Sequence, residues 1–243
     1  MLERMRLFTG AMDDLVQSLH DTVEPQMYFG MNPDCYNKAL HDEEYREILE
    51  QPNSVVYIDG NGIIIAQHIL GGVPAQERVC TTDLFPALYE FEAHSASGAK
   101  SFFLFGGTPG TVERVRNNFI EQYGVDLFIG TNSGYDFDSN VLISKIANLQ
   151  PDYLFVGLGC PKQEKWVAEN FSTLNVPAVL TCGGLFDYYS GNVDRAPDWM
   201  QRTSLEWFYR LLQEPKRLAR RYLLGIPQFL IHVMVNKFKG DPL

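Results

Sequence analysis

The chain has 243 residues, 45% of them hydrophobic and 21% charged, enough to bury a sizeable core as one large domain or two small ones. A formal net charge of −10 argues against general nucleic-acid binding, because a polyphosphate repels an acidic surface. The charge is unevenly placed, however: from Arg195 to Leu243 nine basic residues face four acidic ones, leaving this tail at +5 and residues 1–194 at −15.

Cys35, Cys80, Cys160 and Cys182 are scattered, without a CxxC pair or zinc spacing, and read as reduced cytosolic thiols. The N-terminal Met1-Leu2-Glu3-Arg4 lacks the apolar core of a signal peptide, and no segment reaches the roughly 20 apolar residues of a membrane span. The expectation is a cytoplasmic protein.

In chain order, Phe8–Leu19 has helical spacing and Gln26–Gly30 reads as a strand that runs into Asn32 and a helix from Cys35 to Glu50. Asn32 either caps that helix or lines a crevice at the strand's carboxyl end. Ser54–Ile58 is a strand followed by Asp59-Gly60-Asn61-Gly62 and an apolar segment, Ile63–Leu70. Asp59 is a second strand-end polar residue, although Asp-Gly-Asn-Gly is also ordinary turn chemistry. A polar loop, Gly71–Leu84, carries Glu77, Arg78, Thr81, Thr82 and Asp83, with Thr82 or Asp83 as cap of a helix reaching about Ser97.

Lys100–Phe105 is an apolar strand opening into Gly106-Gly107-Thr108-Pro109-Gly110 and a helix through Tyr123, with Thr108 as cap and Pro109 at the first helical position. A glycine-lined loop feeding a helix N-terminus suits a phosphate, but it is not the GxGxxG of dinucleotide enzymes. Val125–Gly130 is a strand and Val141–Leu149 a helix, separated by the loop Gly134-Tyr135-Asp136-Phe137-Asp138, read as solvated. Next come the strand Tyr153–Val156, the turn Gly157-Leu158-Gly159-Cys160-Pro161 and a helix carrying Gln163 and Glu164 in its first turn. Gln163 suits a sugar hydroxyl or diphosphate oxygen, while Glu164 is favoured ionised near the helix N-terminus or simply caps it. The regular alternation predicts an α/β fold: a mostly parallel, Rossmann-like sheet with helices on both faces.

The blocks Gly157-Leu158-Gly159-Cys160-Pro161-Lys162-Gln163-Glu164-Lys165-Trp166, Gly183-Gly184-Leu185-Phe186-Asp187, Arg195-Ala196-Pro197, Leu205-Glu206-Trp207 and Glu214-Pro215-Lys216-Arg217 resemble the signature of the WecG/TagA/CpsF glycosyltransferases. Asn32-Pro33, Asp59-Gly60, Gly71-Gly72, Asp83-Leu84 and Gly106-Gly107 follow the same family's order, so the resemblance covers about residues 25–230. It implies an inverting family 26 enzyme that moves an N-acetylmannosamine-type sugar, its uronic acid or glucose from a UDP-sugar to a polyprenyl-diphosphate-linked saccharide. Such products feed teichoic acid, capsule and other surface polysaccharides. The family also implies a core, residues 1–194, and a helical basic appendage, residues 195–243, that meets the membrane and completes the site.

Inverting transfer needs a base for the acceptor hydroxyl and stabilisation of the departing diphosphate. The resemblance places Asp83 as the base, with Asp59 second. Gly106, Gly107, Gly157, Gly159, Pro161, Gly183, Gly184 and Asp187 would line the donor site with Asn32, Gln163 and Glu164, and Arg195, Arg210, Arg217 and Arg221 would take leaving-group charge in place of a metal or cofactor. Two departures from the family pattern stand out: Gly30 where a threonine is more usual, and Thr81-Thr82 where a small residue precedes the aspartate. In the tail, Gly225-Ile226-Pro227 breaks two apolar, basic segments that suit either an anionic membrane surface or a helical hairpin packed on the body or at a homo-oligomer interface. A nucleotide-dependent oxidoreductase and a non-enzymatic, membrane-recruited scaffold are the competing readings.

Overall fold

Phe102–Phe105 and Tyr153–Val156 are unbroken apolar runs, the pattern of strands covered on both faces by helices. In the computed structural model, which describes residues 1–96, 98–203 and 205–240, they form the centre of a seven-stranded sheet. Its strands are β1 (Arg6–Phe8), β2 (Gln26–Met31), β3 (Ser54–Ile58), β4 (Phe102–Gly106), β5 (Phe128–Asn132), β6 (Tyr153–Gly157) and β7 (Ala178–Thr181). They lie in the order β1-β3-β2-β7-β6-β4-β5 with every pairing parallel.

The helices are α1 (Met12–Asp21), α2 (Pro33–His41), α3 (Glu43–Leu49), α4 (Asn61–Leu70), α5 (Thr81–Ala93), α6 (Thr111–Tyr123), α7 (Ser139–Leu149), α8 (Lys162–Leu174) and α9 (Leu185–Tyr189). The tail adds α10 (Asp198–Arg202), α11 (Glu206–Gln213), α12 (Pro215–Ala219), a π-helical turn (Arg220–Leu224) and α13 (Gly225–Lys239). Alternate strand residues face two cores. Phe103, Phe105, Leu154 and Val156 pack under α2, α3, α4, α7, α8 and α13, while Phe102, Leu104, Tyr153 and Phe155 pack under α1, α5, α6 and α9.

Several expected boundaries move for identifiable reasons. The single helix from Cys35 to Glu50 is two, because Asp42 leaves helical geometry and accepts a hydrogen bond from the Tyr45 amide at 3.0 Å, capping α3. Arg6–Phe8 is an edge strand and α1 starts only at Met12; Ile63–Leu70 is helical, within α4. The α5 helix starts at Thr81 with Cys80 at the cap position, so Asp83 sits inside its first turn; the expected end at Ser97 lies outside the described residues. Gly110, with φ +81°, precedes α6, displacing Pro109 from the first helical position. Gly225-Ile226-Pro227 does not break the tail, because Gly225 is α-helical (φ −69°, ψ −38°) and Pro227 falls in the first turn of α13, where a missing N–H is no loss.

The tail is docked on the body. Phe229 and Val233 of α13 are buried; the Phe229 ring meets Tyr36 of α2 edge-on at 5.4 Å, and Asn37 Nδ2 donates to the Gly225 carbonyl at 2.7 Å.

Candidate active site

In an all-parallel sheet every strand presents its carboxyl end at the same edge, so Asn32, Asp59, Gly106, Gly157 and the loop after β7 are neighbours by topology. Helix α6 leaves β4 over one face and α8 leaves β6 over the other, which opens a crevice between these adjacent strands. A cavity of ≈ 600 Å³ occupies it, lined by Gly107, Gly134, Gly157, Gly159, Gly183, Gly184 and Asp187, with Tyr135, Phe137, Lys162, Phe186 and Arg217. A neighbouring pocket of ≈ 400 Å³ shares Tyr135, Asp136 and Phe137 with it and extends past β5 to Glu113 and Lys145. The Tyr135–Phe137 loop is thus part of the site, which its polar composition alone did not reveal.

The crevice floor requires glycine for space. Gly106 has φ +150°, and a Cβ there would stand 2.5 Å from the Gly157 carbonyl oxygen; a Cβ on Gly157 would be 2.8 Å from the Phe186 ring and 2.9 Å from the Gly183 oxygen. Three strand ends therefore approach backbone to backbone.

Gln163 holds two of these loops together. Its Oε1 accepts from the Gly159 amide at 3.0 Å and the Gly183 amide at 3.1 Å, and its Nε2 donates to Glu164 Oε1 at 2.8 Å. Both residues are buried. Burial pushes the Glu164 carboxyl above its ordinary pKa, and its Oε2 has no hydrogen-bond partner among the described residues. The Gln163 amide, expected to hold a sugar hydroxyl or diphosphate oxygen, is engaged within the protein through both its oxygen and its nitrogen, and Glu164 makes no capping hydrogen bond. The Cys160–Pro161 peptide between Gly159 and α8 is cis, and the Cys160 carbonyl accepts from Lys38 Nζ at 3.0 Å.

Asn32 has the capping role: its Oδ1 accepts from the amides of Asp34 and Cys35, both at 3.1 Å. Asp59, at the end of β3, is engaged differently. Thr81 donates its amide to Oδ1 and its hydroxyl to Oδ2, both at 3.3 Å, and the Tyr57 hydroxyl lies 2.7 Å from Thr81 Oγ1. Burial raises the Asp59 pKa to about 6, partly offset by Arg78 and the Thr81 donors. Asp83 sits instead in a charge network: Arg195 Nη2 is 2.5 Å from Oδ1, Arg78 Nη2 is 3.8 Å from Oδ2, and Glu206 pairs with the same two arginines at 3.5 and 3.8 Å.

Helix α9 joins the two groups. Asp187 near its start lines the cavity, and Tyr189 at its end donates to the Thr82 carbonyl at 2.6 Å. The four tail arginines reach this edge but are differently employed. Arg195 is paired with Asp83, and Arg221 Nε lies 3.3 Å from Asp34. Buried Arg210 pairs with Glu214 at 2.7 Å and Asp187 at 3.8 Å and stacks over Tyr188 at 4.5 Å, leaving Nη1 without a hydrogen-bond partner among the described residues. Arg217 pairs with Glu214 at 2.7 Å and lines the cavity. From sequence, Arg78 was named only as part of the polar loop before α5 and Thr81 only as part of that loop and a departure from the family pattern, while Tyr57, inside the apolar strand β3, carried no signal.

The sequence model of the glycosyl transferase WecG/TagA/CpsF family matches residues 4–242. An N-acetylglucosaminyldiphosphoundecaprenol N-acetyl-beta-D-mannosaminyltransferase of Bacillus subtilis (strain 168) is 34% identical over 205 residues, covering 84% of this chain and 77% of the relative. Proteins with the same description from Bacillus spizizenii and Staphylococcus aureus (strain MW2) are 32% and 29% identical, covering 85% and 86% of this chain and 77% and 79% of the relatives.

Proposed function

For this chain, which belongs to the glycosyl transferase WecG/TagA/CpsF family and is a hexosyltransferase, we propose transfer of an N-acetylmannosamine-type sugar from a UDP donor to a polyprenyl-diphosphate-linked saccharide, with inversion. Family membership sets aside the oxidoreductase and scaffold readings.

The donor diphosphate fits the glycine crevice between β4, β6 and β7, where backbone comes close and Arg217 stands at the wall. The adjoining pocket past β5, entered beside Tyr135, has room for the nucleoside. The transferred sugar then points along the strand ends towards Asp59. The observation that carries this reading is the Asp59 carboxylate: oriented by Thr81, at the strand edge, with a pKa of about 6. A base with a pKa near the working pH combines the correct protonation state with useful driving force.

Asp59 takes the proton from the acceptor hydroxyl as its oxygen bonds the anomeric carbon. The bond from that carbon to the diphosphate breaks on the opposite side, and its electron pair leaves on the β-phosphate. Arg217 and the unpaired Nη1 of Arg210 supply positive charge to the leaving group. Asp83 is the weaker candidate, because Arg195 and Arg78 engage its two carboxylate oxygens.

The segment 195–243 is read as an appendage that closes this edge and meets an anionic membrane, bringing the lipid-linked acceptor to the site from the cytoplasmic side. None of the described helices is long and apolar enough to cross a membrane. Its docked inner face and apolar outer face support that reading. UDP release from a UDP-N-acetylmannosamine donor and a short polyprenyl-diphosphate-N-acetylglucosamine analogue tests the function; a product requiring a different donor, or none, overturns it.

A further inference from the structure

Gly30 lies beside Asp59 and Thr81 near the carboxyl end of β2, where space is short. It belongs to β2 and has no left-handed φ, so its backbone would accept any residue. A Cβ added there would stand 3.1 Å from Thr81 Oγ1, 3.2 Å from Asp59 Cβ and 3.3 Å from Asp59 Oδ2. Thr81, buried at the start of α5, occupies that volume from the opposite side. Thr81 thus takes up part of the space a side chain at position 30 would need, and Asp59 itself, at 3.2 and 3.3 Å, would have to give by a few tenths of an ångström to admit one.

We propose that Thr81 is a positioning residue for glycosyl transfer, delivering from α5, across the space left by Gly30, the hydroxyl that orients the Asp59 carboxylate. This rests on Asp59 being the base. An ionised carboxylate only accepts hydrogen bonds, so the Thr81 hydroxyl proton points at Asp59 Oδ2 and the Tyr57 hydroxyl donates to Thr81 Oγ1. Tyr57 is fully buried, and burial raises its pKa well above the ordinary tyrosine range, so it remains a donor. With the Thr81 amide on Oδ1, one residue reaches both carboxylate oxygens and, beside the hydrogen bond from the Cys80 side chain, fixes the plane of the base. The other charged or titratable groups around Asp59 are Arg78 and Cys80 on the loop before α5 and Tyr57 on β3, with Asp83 of α5 close enough to act on Cys80. None of them is altered by exchanging residues 30 and 81.

The test is a swap. Thr81→Ala removes a donor to the ionised base, so kcat falls on the order of ten- to a hundredfold. The acid limb of the kcat–pH profile moves to higher pH, with KM for the UDP-sugar little changed. Thr81→Ser restores both rate and profile. Gly30→Thr alone crowds Thr81 and Asp59 and also loses activity. The double variant Gly30→Thr/Thr81→Gly returns a hydroxyl from the β2 side and recovers to within about fivefold of the parent, a strong coupling between contacting positions. In an Asp59→Asn background, Thr81→Ala has no further effect on the residual rate. A Thr81→Ala enzyme with parental kcat and pH profile overturns the proposal, as does a double variant no better than its worse single parent. If Asp59→Asn itself turns over normally, the assignment of the base has failed; if Asp59→Asn is inactive and Thr81→Ala is normal, only the positioning role has.

Discussion

Arg195 and Asp83 are clamped together, guanidinium Nη2 to carboxylate Oδ1 at 2.5 Å, across 112 positions of the chain. The contact ties the first turn of α5 to the start of the tail, and Arg78 and Glu206 complete an alternating ring of charge. A carboxylate so placed holds the start of α5 against the segment that begins at Arg195. We therefore expect Asp83→Asn to retain kcat within about fivefold while lowering stability by ~1–2 kcal/mol, since the lost pair is only partly exposed. Asp59→Asn is expected to lower kcat by on the order of 10²–10⁴. UDP release under saturating donor and acceptor measures both; the opposite ranking returns the base to Asp83.

The same carboxylate predicts a trade between activity and stability. With its folded pKa near 6 and an ordinary unfolded value of 3.8, Asp59 binds its proton more tightly in the native state. Native protein is then protonated where the unfolded chain is not, so stability declines as pH rises between these two values. The full decline is up to ~3 kcal/mol, at about 1.4 kcal/mol per pKa unit. Turnover shows the reverse sign, rising as pH passes through about 6 and the base ionises. Asp59→Asn is expected to be strongly impaired in turnover yet more heat-stable than the parent at pH 7.5, and to lose this advantage at pH 4. Thermal melts across that range decide it: a variant less stable at every pH contradicts the assigned burial penalty.

Gln163 gives a third expectation. Gln163→Ala leaves the Gly159 and Gly183 amides without their shared acceptor, and two loops of the crevice lose their common tie. A destabilisation of ~1–3 kcal/mol is expected, with a several-fold rise in the Kd for UDP by calorimetry. Unchanged UDP affinity in a folded variant shows that the loops hold their places without the tie.

How much of this was legible beforehand differs residue by residue. The apolar strands and glycine turns are local signals, so the parallel sheet and the crevice at Gly106, Gly157 and Gly183 could be read directly. The resemblance ranked Asp83 ahead of Asp59 as the base, and we propose the reverse order because the two differ in partners distant in sequence: Thr81 for Asp59, Arg195 for Asp83. Gly30 and Thr81 each looked like an isolated departure from the family pattern. Only the structure puts them in contact, where they become one substitution in two places. The tail misled for a different reason: Gly225 and Pro227 are helix breakers by propensity, but propensity yields when Phe229 and Val233 are buried against the body.

Metal dependence is expected to distinguish this site from transferases that hold the diphosphate through an Asp-x-Asp pair. Asp136-Phe137-Asp138 has that spacing beside the cavity, but Asp138 is engaged as the cap of α7, its Oδ1 accepting from the Asn140 and Val141 amides at 2.9 and 3.1 Å. With Arg217 on the cavity wall and Arg210 beside Asp187, we expect full activity in EDTA. Loss of turnover restored by manganese would show that this loop rearranges to bind metal.

The outer face of the tail carries the last prediction. Helix α13 buries Phe229 and Val233 but leaves Ile231 65% and Phe238 84% exposed, and Leu223 and Leu224 in the preceding turn are 62% and 64% exposed. Arg217, Arg220, Lys237 and Lys239 lie along the same stretch of an otherwise acidic chain. Apolar side chains with neighbouring cations favour the interface of an anionic bilayer. Truncation would uncover Tyr36 and confuse unfolding with release, so the informative variant is Ile231→Glu/Phe238→Glu, which changes only exposed positions. It is expected to lose at least about tenfold in partitioning to phosphatidylglycerol vesicles. Turnover of a short, water-soluble acceptor analogue should stay within about twofold, as these residues are remote from the packed face. Parental vesicle binding in the variant assigns the exposed face to a protein contact, such as a second copy of the chain, and sedimentation of the parent against the variant would detect it.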